Sequence, residues 1–119
     1  MLSMRIVRLD ETGPPENLTV VEVEKPEVTE HSILIRNSYA GIIYGDCEAR
    51  RGTYYKKFPL PWFPGREVAG EIVAVGEGVD NYQVGQRVVA LSLAQGGYSD
   101  YTLLPTQPQQ LEDGSLLPP

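Results

Sequence analysis

Half of the chain's aromatic residues and half of its cations fall in one stretch without a carboxylate, from Ala49 to Arg66. Tyr54, Tyr55, Phe58, Trp62 and Phe63 supply flat faces, and Arg50, Arg51, Lys56, Lys57 and Arg66 supply positive charge. Guanidinium and ammonium groups attract anions and pack over rings, while rings stack on planar partners, so the combination suits an anionic or flat ligand. A nicotinamide dinucleotide, a quinone and single-stranded nucleic acid all meet that description. Arg50, Arg51, Lys56, Lys57 and Trp62 are the candidate contacts. The same residues also suit a loop whose aromatics plug a core while its cations reach water, because Pro59, Pro61 and Pro64 leave the segment no regular structure to anchor it.

Other chemistries find little support. The chain has one cysteine, Cys47, and one histidine, His31, which excludes an internal disulfide and any multi-cysteine metal site. Cys47 has no base nearby in the sequence and reads as a structural thiol, and no nucleophile-elbow pattern offers a serine to His31. Sixteen Asp and Glu against ten Lys and Arg give a net charge of −6, which argues against a general nucleic-acid or anionic-membrane surface. Any anion site must be local. No run of apolar residues approaches the ~18 of a membrane helix, and none at the start resembles a signal peptide. With its single thiol, the chain is expected to be cytoplasmic.

The elements that must position these residues are mostly strands. At 119 residues the chain suits one domain, and 12 Gly with 10 Pro point to many turns. Apolar and polar residues alternate over Met4–Leu9, Leu18–Val23 and Ser32–Tyr39, each the pattern of a half-buried strand, with Ile33, Ile35 and Asn37 on one face of the third. Tyr44–Arg51 reads as a short helical turn and Phe58–Gly65 as a rigid loop. Val68–Val75 is a strand whose Gly70 marks a bulge or a barrel corner. Arg87–Leu91 and Tyr98–Leu104 complete the set. Six or more short strands with glycine turns predict a mainly β fold, a small, partly open barrel with one or two short helices over residues 1–105. The Pro- and Gln-rich tail, 106–119, packs nothing by itself.

Three segments occur in order: Ala40-Gly41 to Asp46 with Arg51-Gly52 downstream, Pro64-Gly65-Arg66-Glu67-Val68-Ala69-Gly70 to Val75-Gly76, and Val84-Gly85-Gln86-Arg87-Val88. Together they resemble the medium-chain dehydrogenase/reductase superfamily, and most closely its zinc-free quinone oxidoreductase branch. Arg5 to Leu9, Gly13-Pro14-Pro15-Glu16 and Gly97-Tyr98-Ser99-Asp100-Tyr101 look like that branch too. The resemblance implies a GroES-like catalytic domain, which in that superfamily packs against a nicotinamide-binding Rossmann domain. No Gly-x-Gly-x-x-Gly opens a helix here, and Asn81 stands where the third glycine should follow Gly76-Glu77-Gly78, so the Rossmann half is expected to be absent from this chain.

The resemblance also assigns roles. At the positions that match the zinc ligands of the alcohol dehydrogenases stand Ile43 and Arg66, and neither offers a lone pair to a metal. Gly45 stands where those enzymes carry a proton-relaying hydroxyl. The quinone reductases tend to have asparagine in place of Ile43 and tyrosine in place of Glu48. Ile43, Tyr44, Glu48, Tyr54 and Arg66 are thus the expected acceptor and cofactor pocket, and Tyr54 is the candidate group to hydrogen-bond a quinone oxygen. Asp46 matches a residue that caps the helix. The expectation is a catalytic half that binds neither zinc nor NADP(H) alone and is inactive by itself, working through self-association, a dimer for instance, or a Rossmann-domain partner. The alternative is an NADPH-dependent quinone or enone reductase assembled with a separate Rossmann subunit.

Overall fold

A computed structural model describes residues 2–92, 96–107, 109–110 and 116–117. Its elements are β1 (Ser3–Leu9), β2 (Leu18–Glu24), β3 (Ser32–Gly41), α1 (Tyr44–Arg51), β4 (Glu67–Val75), β5 (Arg87–Leu91), β6 (Tyr101–Pro105), β7 (Gln109–Gln110) and β8 (Leu116–Leu117), with one 3-10 turn at Pro15–Asn17. β1 and β2 form an antiparallel ribbon, β5-β4-β3-β6 form an antiparallel sheet, and β7 pairs with β8. Bridges from Ile6 to Ser99 and from Leu9 to Trp62 tie the ribbon to the rest. The result is a mainly β, GroES-like, partly open arrangement, and among the described residues the strands do not close into a barrel.

β3 is central because it is apolar on both faces near its start. Ile33 and Ile35 lie in a core with Val68 and Ile72, while Leu34, facing the other way, is also buried. Asn37 sits farther along and is half-buried. Its Nδ2 donates to the Ser99 carbonyl at 3.0 Å and to Thr102 Oγ1 at 2.8 Å, while its buried Oδ1 has no partner among the described residues. A second, smaller core joins Leu9, Ala49 and Trp62, with Leu18, Tyr54 and Phe58 packed against it.

The glycine expected to mark a bulge does so. Gly70 pairs with Asn37, and the register slips between Asn37 and Tyr39. A Cβ at Gly70 would run into the Arg36 carbonyl, so only glycine lets the two backbones approach this closely. β2 is shallower than the alternation suggested: Val20 is exposed, and Val21 and Val23 are only half-buried because β1 is its one partner. The tail does form a pairing of its own, Gln109 with Leu117 and Gln110 with Leu116.

Candidate functional site

The expected pocket is built around α1, whose eight residues are held at both ends. At the start, the Ile43 N–H donates to Asp46 Oδ2 at 3.4 Å, and the buried Asp46 places its negative charge in the first turn. Tyr98 Oη donates to the same oxygen at 2.6 Å, from 52 residues away. Burial and the bond to Asp46 push the Tyr98 phenol well above its ordinary value. Tyr98 reaches Asp46 because Gly65, at φ 108°, lies against Gly97, which donates its N–H to the Gly65 carbonyl at 3.0 Å. A Cβ at Gly65 would meet the Tyr98 and Gly97 backbone nitrogens.

At the other end Gly52, at φ 86°, stops the helix: its N–H donates to the Ala49 carbonyl at 3.2 Å and the Thr53 N–H to the Glu48 carbonyl at 2.9 Å, the Schellman pattern. The chain then turns back along the helix, and its aromatics form a continuous stack. Tyr55 and Tyr54 have ring centroids 4.6 Å apart, Tyr54 and Phe58 5.9 Å, and Phe58 and Trp62 4.9 Å with planes only 8° apart. Trp62 is buried. It exchanges two backbone hydrogen bonds with Leu9, and its Nε1 is a buried donor with no acceptor among the described residues.

Tyr54, Phe58 and Trp62 line two cavities. Gly45, Asp46 and Arg66 complete a small one of about 10 Å³. Leu9, Thr12, Arg51, Gly52, Lys56, Lys57 and Leu60 complete an outer one of about 260 Å³. In the small cleft, a Cβ added at Gly45 would sit 3.2 Å from Tyr54 Cε1 and 3.6 Å from Ile43 Cδ1, so Ile43, Gly45 and Tyr54 converge, with Arg66 beside Tyr54. The hydrogen-bonded Tyr55 hydroxyl raises the Tyr54 phenol, and Arg66 partly offsets that by favouring the phenolate.

The sequence-predicted residues divide accordingly. Ile43, Tyr54 and Arg66 meet. Tyr44 is 72 % exposed and Glu48 half-buried, and neither lines either cavity. Arg51, Lys56, Lys57 and Trp62 surround the outer cavity, but Arg50 does not. It is buried on the far side of α1 and donates to the Gly13 carbonyl, whose own N–H returns to the Arg50 carbonyl at 2.8 Å. Arg50 is therefore a tie between helix and turn. Leu9, Thr12 and Tyr98 carry no sequence signal for their places here, since each arrives from a strand end or turn remote in sequence.

Ile43 and Arg66 cannot ligate a metal, and among the described residues no three His, Cys, Asp or Glu side chains gather at one point. Gly76-Glu77-Gly78 forms a tight turn with no helix after it, and Gly78, at φ 85°, is packed on the His31 ring, so its amides do not form a diphosphate cradle. His31 lies 3.2 Å from Glu30 Oε1. Cys47 is half-buried beside Pro15, Leu18, Ile42, Pro64 and Tyr98.

One sheet face is apolar and open. Tyr39, Ala69 and Val89 stand in one cross-strand row and Gly41, Glu67 and Leu91 in the next, with Tyr39, Val89 and Leu91 all more than 60 % exposed. Ile42 and Tyr44, beside the cleft, are 77 % and 72 % exposed. Among the described residues no helix is long and apolar enough to cross a membrane.

Residues 29–111 match the model of the alcohol dehydrogenase GroES-like domain. The chain is 41 % identical over 106 residues to a probable quinone oxidoreductase of Schizosaccharomyces pombe, a match that covers 88 % of this chain and 31 % of that protein. Its fold is similar to the quinone oxidoreductase of Coxiella burnetii, with a TM-score of 0.81 at 26 % identity over 98 % of this chain and 39 % of that one. The Escherichia coli quinone oxidoreductase complexed with NADPH superposes with a TM-score of 0.77 at 32 % identity over 96 % of this chain and 33 % of that one. The chain thus spans about a third of the length of the relatives it matches.

Proposed function

Because the chain belongs to the alcohol dehydrogenase GroES-like domain family of the medium-chain dehydrogenase/reductase superfamily, we propose that it is the acceptor-side half of a zinc-independent quinone or enone reductase and is inactive alone. The observation that carries this reading is the convergence of Ile43, Gly45, Tyr54 and Arg66, where an apolar side chain and a guanidinium stand at the two positions that match zinc ligands, beside a bare backbone and a phenol. At about 10 Å³ the cleft has room for a carbonyl oxygen and not for a ring, so in this reading the body of a neutral planar carbonyl compound lies outside it, against the second domain. Tyr54 can donate to a carbonyl oxygen, and Arg66 favours negative charge that develops there. In this reading NADP(H), named with one of the relatives, is held by a dinucleotide-binding domain outside this chain. This chain shapes the acceptor pocket and excludes water.

The open apolar face supports association. Tyr39, Val89, Leu91, Ile42 and Tyr44 are too large a set of exposed apolar side chains to leave wet at no cost. Either the dinucleotide-binding domain or a second copy of the chain covers them.

The test is NADPH consumption with a small quinone, measured with the 119-residue chain alone and after mixing with the separately expressed remainder of the S. pombe relative. Turnover only in the mixture, reduced in Tyr54→Phe and Arg66→Gln, is expected. Turnover by the chain alone at the rate of the mixture would refute the reading. Light scattering on the chain alone separates the two associations: a dimer favours self-association and a monomer favours the second domain.

A further inference from the structure

We infer that the outer cavity, bounded by the Tyr54–Phe58–Trp62 stack and by Arg51, Lys56 and Lys57, is a binding site for a small aromatic carboxylate, separate from the Ile43–Arg66 cleft. The two cavities share their aromatic wall and Ala49, but the charged side chains that line them differ. The inference does not rest on the reductase reading and is tested without NADPH or quinone.

Charge and shape select the ligand. None of the residues lining the outer cavity is a carboxylate, and none of the four ion pairs of the described residues includes Arg51, Lys56 or Lys57, in a chain with sixteen Asp and Glu. Lys57 Nζ donates to the Gly52 carbonyl at 3.2 Å, which keeps it at the rim with donors to spare. Lys56 Nζ stands 5.9 Å over the Phe58 ring, so one cation already bridges the charged and aromatic halves. The helix end exposes little opposing charge, because the Glu48 and Ala49 carbonyls accept from the Gly52 and Thr53 amides.

A volume of about 260 Å³ falls just below the ~300–1,000 Å³ typical of small-molecule sites, which suits one or two rings and is too small for a dinucleotide. A neutral quinone would leave the three cations unused, and a bare phosphate would leave the aromatic wall wet. An aromatic carboxylate uses both: its ring packs on Tyr54 and Phe58, and its carboxylate meets the lysines and the Arg51 fork. The chain's sole tryptophan, Trp62, lines this cavity, so occupancy has a built-in optical reporter.

The experiment is a titration of the full chain with benzoate, followed by Trp62 fluorescence, with benzyl alcohol as the uncharged isostere and inorganic phosphate as competitor. Expected are a saturable response to benzoate that weakens as salt rises, affinity at least about tenfold lower for benzyl alcohol, and a similar loss in Lys56→Gln/Lys57→Gln. Both lysines are exposed, so the double variant should keep the native circular dichroism. The benzoate and benzyl alcohol comparison on the unaltered chain stands even if it does not. No saturable response, equal affinity for the two isosteres, an unchanged affinity in a folded double variant, or displacement by phosphate as effective as benzoate itself would each overturn the inference.

Discussion

Asp46→Ala should destabilise the domain by about 2–3 kcal/mol, and most of that loss should belong to one bond. Tyr98 Oη donates to Asp46 Oδ2 at 2.6 Å, and Asp46 is 6 % exposed. A hydrogen bond to a charged, buried acceptor contributes about 1.5–3 kcal/mol. The carboxylate in the first turn of α1 adds about 0.3–1 kcal/mol through the helix dipole, and the better helix propensity of alanine returns up to about 0.7 kcal/mol. Tyr98→Phe removes the donor but leaves Asp46 buried, at about 1–2 kcal/mol. If the bond is the shared cause, the double variant should cost about 2.5 kcal/mol, less than the sum of the single changes by about 1.5 kcal/mol. Urea unfolding of the four proteins measures this cycle, and for a domain of this size the Asp46→Ala loss should lower Tm by roughly 10 °C. Additivity within about 0.5 kcal/mol, or an Asp46→Ala cost below that figure, would refute the reasoning.

Gly70→Ala should cost about 2–4 kcal/mol, because the new methyl meets the Arg36 backbone, which cannot yield as a flexible side chain would, and thermal unfolding reports it. Ile72→Ala, at a fully buried position packed with Ile35 and Val68, should cost about 2–5 kcal/mol, whereas Val20→Ala on the exposed ribbon should stay within about 0.5 kcal/mol. Since the folded Tyr98 phenol titrates above its unfolded value of about 10, its contribution is complete below that pH and is lost as pH rises beyond it; Tyr98→Phe should flatten the alkaline decline in urea midpoint. Asp100, held below the usual carboxylate range by the Arg5 guanidinium at 3.0 Å and the Arg5 amide at 2.7 Å, contributes stability above about pH 4 that fades on acidification, and Asp100→Asn should shift the acid midpoint upward.

Much of the fold was legible because its causes are local. Alternation marked β1, β2 and β3, proline kept 58–65 irregular, and Gly70 announced the bulge. The boundaries that shifted did so for tertiary reasons. β3 runs on to Gly41 because β4 pairs with it up to Glu67, and β6 begins at Tyr101 because Tyr98 is drawn toward Asp46 and Ser99 toward Ile6. Arg50 and Arg51 are adjacent cations with nothing in the sequence to separate them. On a helix, neighbouring side chains diverge by about 100°, so Arg50 turns inward to the Gly13 carbonyl and Arg51 outward to the cavity rim.

Composition and order of motifs alone determined that the chain is a mainly β domain of one superfamily, and residue chemistry at Ile43 and Arg66 alone determined that these positions cannot hold zinc. What only the tertiary structure decided is where the charge and the rings meet. Leu9 and Trp62, 53 positions apart, exchange backbone hydrogen bonds, and that crossing holds the carboxylate-free stretch against β1 and α1 in a stack that lines both cavities. A sequence pattern records which residues prefer burial or charge, but a pocket is a relation among backbones brought together by distant pairings, and those pairings are fixed by the packing of the whole.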